Sequence, residues 1–138
     1  MSELSHHCDG SVLVCMDWRL FQSGQLSVQL KELAQVKDFD LVGLAGATKN
    51  LVDLNTQDFV LRHFTLSKDL HRVKKIILTN HTDCGAYGQE GTEERLIEDL
   101  KKGREILREK YPDLETVLVL IVLSAGNDQW QTDCRLIE

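Results

Sequence analysis

Proline is nearly missing from this chain: Pro112 stands alone, and no repeat or low-complexity tract breaks the 138 residues. Nothing therefore marks a linker, and the length suits one compact domain, residues 1–138, with a real hydrophobic core. Long apolar runs are also missing. The longest, VLVLIVL at 117–123, is strand-sized and far short of the ~18 residues that cross a bilayer. Positive charge is in deficit, with a net charge of -6 and a pI near 5.3, which argues against a nucleic-acid partner. The opening MSELSHHCDG has neither the basic start nor the apolar stretch of a secretory signal. These absences lead us to expect a cytoplasmic protein with no membrane or nucleic-acid partner.

What is present is ordinary for a globular protein: 42% hydrophobic and 28% charged residues. Four cysteines stand at Cys8, Cys15, Cys84 and Cys134, and without a signal segment metal binding or thiol chemistry is the expected use rather than disulfides. Cys8 and Cys134, near the two ends, carry no assigned role. His6 and His7 beside Cys8 read as a solvated tail, and His63 and His71 as surface or boundary residues.

Apolar runs at 11–17, 39–46, 73–81 and 114–124 read as buried strands. Helical spacing appears at 24–36, 57–70 and 92–111. In the second helix Phe59, His63, Leu66 and Leu70 form the expected inward face, with Val60 and Phe64 beside it. Thr92 is placed to cap the third helix and Pro112 to stop it. Strand and helix alternate throughout, which predicts an α/β fold in three layers, a mainly parallel sheet flanked by helices. The tail after 124 has no clear assignment.

The chemistry gathers after two of these strands. The first runs into Cys15-Met16-Asp17-Trp18-Arg19 and the third into His81-Thr82-Asp83-Cys84. Ligands of open parallel sheets bind beyond the carboxyl ends of strands, where strand order reverses. If the first and third strands are neighbours, Cys15, His81 and Cys84 converge as two thiolates and an imidazole, a three-ligand set suited to zinc. In an extended segment Cys15, Asp17 and Arg19 project to one side, so Arg19 can clamp Asp17 above the metal. Gly85 and Gly88 would let the chain turn close beneath it.

With these residues in hand, the sequence resembles the β-class carbonic anhydrases. That family carries C-x-D-[small]-R after its first core strand and H-x-x-C-G after a later one; here they stand as CMDWR and HTDCG. GLAGA at 43–47 is similar to the family's intervening R-N-A-G, without the Arg. The resemblance implies zinc as cofactor, Cys15, His81 and Cys84 as its ligands, and reversible hydration of carbon dioxide to bicarbonate by a zinc-bound hydroxide. Asp17 would orient that hydroxide or occupy the fourth position itself, and Arg19 would draw Asp17 off the metal. Trp18, Ala45, Gly46 and Gly85 are the implied pocket residues, and a homodimer or dimer of dimers the implied assembly. Two thiolates make the metal less acidic, so activity should favour alkaline pH. Trp18 stands where the family has Ser or Ala, and its apolar wall would also suit carbonyl sulfide or carbon disulfide. A catalytically silent zinc-stabilised protein is the further alternative.

Overall fold

A computed structural model describes residues 4–138. Its strands are β1 (Gly10–Val14), β2 (Phe39–Gly43), β3 (Lys75–His81), β4 (Glu115–Ala125) and β5 (Trp130–Ile137). The helices are α1 (Leu26–Ala34), α2 (Lys49–Val52), α3 (Gln57–His71) and α4 (Glu93–Lys110). The strands form one sheet in the order β2-β1-β3-β4-β5. Pairing is parallel from β2 through β4, and β5 runs antiparallel to β4. The fold is thus α/β with a mostly parallel sheet flanked by helices, as expected. The unassigned tail supplies the antiparallel edge strand. Among the described residues no helix is long and apolar enough to cross a membrane.

β1, β3 and the middle of β4 are written in Val, Ile and Leu because helices cover both of their faces. Val12, Leu13, Ile76, Ile77, Leu78, Val119, Leu120 and Ile121 are all fully buried. The side-chain period of two then sends neighbours to opposite faces. Asn80 turns toward α4, donating to the Leu96 carbonyl at 3.0 Å, and His81 turns the other way. α4 begins where its cap requires: the Thr92 side chain accepts from the Arg95 N–H. Gly103 lets this helix approach closely, since a Cβ there would lie 2.8 Å from Leu78 Cδ1.

Two expectations need correction. β2 is not a buried strand: it lies at the sheet edge, with only Val42 buried and Leu41 57% exposed. The inward face of α3 is Val60, Phe64 and Ser67, while Phe59, Leu66 and Leu70 are exposed. The helix is rotated by one residue from the apolar stripe. Ser67 can turn inward because its hydroxyl donates to the Asp40 carboxylate on β2.

Candidate metal centre

The order β2-β1-β3 creates the decisive geometry. From β1 the chain crosses to β2 on one side and returns to β3 on the other, so the carboxyl ends of β1 and β3 open a crevice between them. Cys15 follows β1 directly, His81 ends β3, and Cys84 sits in the turn beyond it. The three are buried, and one donor atom from each lies within 4.8 Å of the others.

The turn depends on an unusual residue. Asp83 takes a left-handed backbone, φ 57°, a conformation that Asp tolerates better than most side chains. Tyr87 and Gly88 N–H groups then donate to the Cys84 carbonyl at 3.2 and 3.1 Å, fixing the loop from within. Gly85, expected to permit the turn, has no positive φ, and a Cβ there would meet nothing within 4 Å. Gly88, at φ 59°, does take the left-handed conformation.

The donor set fits a zinc ion. His81 Nδ1 is engaged by the Thr82 carbonyl at 2.7 Å, which leaves Nε2 as the free donor atom. That Nε2 is buried and has no hydrogen-bond partner. A buried imidazole nitrogen left orphaned beside two sulfurs is costly unless something binds it. The Cys84 and His81 side chains beside it hold the Cys15 thiol below its ordinary range, so one thiolate is favoured before any metal arrives. Contact with Cys15, aided by burial, pushes Cys84 upward. The Gly46 N–H also donates to Cys15 Sγ at 3.4 Å, which gives the GLAGA segment a definite part in the site. Gly46 itself is left-handed, φ 85°.

Asp17 and Arg19 meet, but not from an extended segment. Trp18–Leu20 forms a 3-10 turn, and Asp17 caps it by accepting the Arg19 N–H at 3.0 Å. The guanidinium then closes on the carboxylate, Nε at 3.1 Å from both oxygens and NH2 at 2.6 Å from Oδ2. This clamp holds the Asp17 carboxyl below its ordinary range. Asp17 Oδ2 lies 3.9 Å from His81 Nε2, so the pair borders the metal locus.

Sequence reasoning missed three supports of this pair. Arg19 NH1 is 2.8 Å from Asp83 Oδ2, and NH2 donates to the Asp83 carbonyl at 2.9 Å. The guanidinium carbon lies 4.9 Å from the Trp130 ring centroid, a cation–π contact from the unassigned tail. Gln22 Oε1 in turn accepts the Trp130 N–H at 2.8 Å. Asp83 lies within the HTDC motif and could have been suspected there; for Trp130 the sequence leaves open an interface or a place over the pocket, and the structure sets it on Arg19. Of the other pocket candidates, Trp18 is 64% exposed. It lines a hollow with Gln22, Ala125, Gly126, Gln129 and Trp130. Ala45 faces outward, its carbonyl accepting from Asn50 Nδ2 at 2.8 Å.

Fold and site together define an α/β protein with a buried Cys2His metal-ligand constellation. The chain belongs to the putative carbonic anhydrase family, whose model matches residues 5–133. An uncharacterized protein of Rickettsia bellii (strain RML369-C) is 32% identical over 131 residues, covering 86% of this chain and 79% of its own. One from Rickettsia conorii (strain ATCC VR-613 / Malish 7) is 28% identical over 135 residues, covering 86% of this chain and 69% of its own. The fold is similar to that of the apo form of a carbon disulfide hydrolase, with a TM-score of 0.54 and 18% identity. That match covers 82% of this chain and 73% of the other.

Proposed function

We propose that this chain is a zinc enzyme that interconverts carbon dioxide and bicarbonate, with Cys15, His81 and Cys84 as the ligands. The observation that carries the reading is the orphaned His81 Nε2 beside two buried thiols, in a member of the putative carbonic anhydrase family. A zinc ion held there supplies the Lewis acidity that activates water near neutral pH.

The protein's own groups do the rest. Thr82 fixes the His81 ring so that Nε2 faces inward. Asp17 accepts hydrogen bonds at the edge of the site, and Arg19 keeps it ionised and turned aside. Asp83 and Trp130 keep Arg19 from swinging away. Gly46 borders the locus through its backbone N–H, which donates to Cys15 Sγ.

Stopped-flow hydration of carbon dioxide at alkaline pH tests this, on protein with verified zinc content and with Cys84→Ser as the control. A zinc-dependent rate that the variant loses is the expected result. A background rate from fully loaded protein would defeat it and shift the choice to a silent zinc-stabilised protein.

A second reading has its own support. The exposed indole of Trp18 and the ring of Trp130, which packs on Arg19, line one hollow, and their apolar faces suit carbonyl sulfide or carbon disulfide. The fold-level likeness to a carbon disulfide hydrolase agrees with it. Turnover of carbon dioxide with neither sulfur compound consumed would reject this version. We further propose a homodimer or dimer of dimers, since Met16, Trp18 and Phe21 leave apolar surface beside the site, at 69%, 64% and 44% exposed. Sedimentation at micromolar concentration should show it; a monomer would speak against it.

A further inference from the structure

We propose that Cys8, Asp40 and His71 form a second binding site for a zinc-class divalent metal, at the opposite end of the sheet from the first. The three come from separate parts of the chain: the segment before β1, the second residue of β2 and the last residue of α3. One donor atom from each lies within 4.8 Å of the others. The backbone holds them in place. The Cys8 N–H donates to the His71 carbonyl at 3.0 Å, and Gly10 pairs in register with Phe39, the residue before Asp40.

The carboxylate is already oriented for the task. Asp40 faces His71 Nδ1 at 2.7 and 2.8 Å, and the Ser67 hydroxyl donates to it as the outer hydrogen bond that metal-binding carboxylates receive. Ser11 lies opposite Asp40 in the β1–β2 register. Its hydroxyl is completely buried and has no partner, yet it lines the same hollow of about 220 Å³ as Asp40, Ser67 and His71. The Cys8 thiol donates to the Gly10 carbonyl at 3.5 Å, a bond it would exchange for the metal, and a plain Asp40–His71 ion pair leaves the Ser11 hydroxyl unpartnered. Water on an open metal position could satisfy it.

Thiolate, imidazole and carboxylate together suit zinc or cobalt rather than magnesium or calcium. Tetrahedral zinc separates its ligand atoms by about 3.4–3.8 Å, so from at most 4.8 Å Cys8 must close in by roughly 1.4 Å at most. The Asp40–His71 pair opens from 2.7 Å by roughly 0.7 Å, with the ion taking the place of their hydrogen bond. Binding breaks the Cys8 S–H bond and forms a metal–sulfur bond, the proton passing to water. His71 binds as the neutral ring, its remaining proton on the nitrogen facing away. The five residues of β1 span roughly 17 Å, so one ion cannot serve both sites.

The test is cobalt(II) titration of chelator-stripped protein, read as metal per chain after desalting and as sulfur-to-cobalt charge-transfer absorption. Wild type should take up two equivalents, and Cys8→Ser and His71→Ala one each. Equal uptake by wild type and Cys8→Ser overturns the proposal. So does equal uptake by wild type and His71→Ala, which would assign the metal to the His6-His7-Cys8 tail alone. Cys84→Ser distinguishes this site from the first, because it should lose the other equivalent. If Cys8→Ser loses metal and Cys84→Ser does not, the second site stands and the proposed centre at Cys15, His81 and Cys84 falls.

Discussion

Tyr87→Phe removes one oxygen atom, and the structure says what that atom does. The hydroxyl donates to Asp99 Oδ2 at 2.7 Å and accepts from Asn80 Nδ2 at 3.2 Å. Asp99 is completely buried, and its remaining side-chain donor is Arg95 Nε at 3.2 Å. Losing a hydrogen bond to a buried charged group costs about 1.5–3 kcal/mol. Asn80 Nδ2 keeps the Leu96 carbonyl at 3.0 Å, so its loss adds at most about 0.5–1 kcal/mol. The total of roughly 2–4 kcal/mol is a large part of the ~5–15 kcal/mol that holds a domain folded. It should lower Tm by roughly 6–15 °C in a chain of this size. Urea denaturation measures it, and the slope with denaturant should not change, because the unfolded surface is the same. Metal uptake should also hold, since Tyr87 meets the Cys84 loop through its backbone N–H, which Phe retains. A loss below about 1 kcal/mol would refute the reasoning, and so would a loss of metal with stability intact.

Other consequences can be checked alongside it. Phe64→Ala should cost about 3–5 kcal/mol by urea denaturation, while Leu66→Ala, on the outer face of α3, should cost well under 1 kcal/mol; similar costs would contradict the observed face. Arg19→Lys keeps the charge but loses the fork that spans Asp17 and Asp83. It should lower the hydration rate by about 10- to 100-fold with zinc content unchanged, and a wild-type rate would remove Arg19 from the site. Hydration itself should rise toward alkaline pH, because two thiolate ligands weaken the metal's acidity; a flat profile from pH 6 to about pH 9 would exclude the proposed ligand set. Burial pushes the Cys134 thiol up to about 12 from 9.0. Iodoacetamide at pH 8 should therefore label it at least about tenfold more slowly than an unshifted thiol, a rate readable by mass spectrometry.

The alternation of strands and helices was legible in the sequence because buried parallel strands and amphipathic helices must write their burial as different periods. The convergence of Cys15, His81 and Cys84 was legible because metal-ligand residue types stood in two short motifs after strands that prove to be neighbours. Where burial is decided by neighbours, the sequence says less. Val60-Phe64-Ser67 and Phe59-Leu66-Leu70 both fit a helical stripe, and only the Asp40 carboxylate waiting on β2 turns Ser67 inward. The tail became a strand because β4 offered an open edge, and through it Trp130 reached Arg19. Cys8, Asp40 and His71 lie far apart along the chain and share no motif. Their meeting is set by β1–β2 register and the end of α3, distances that no local pattern encodes.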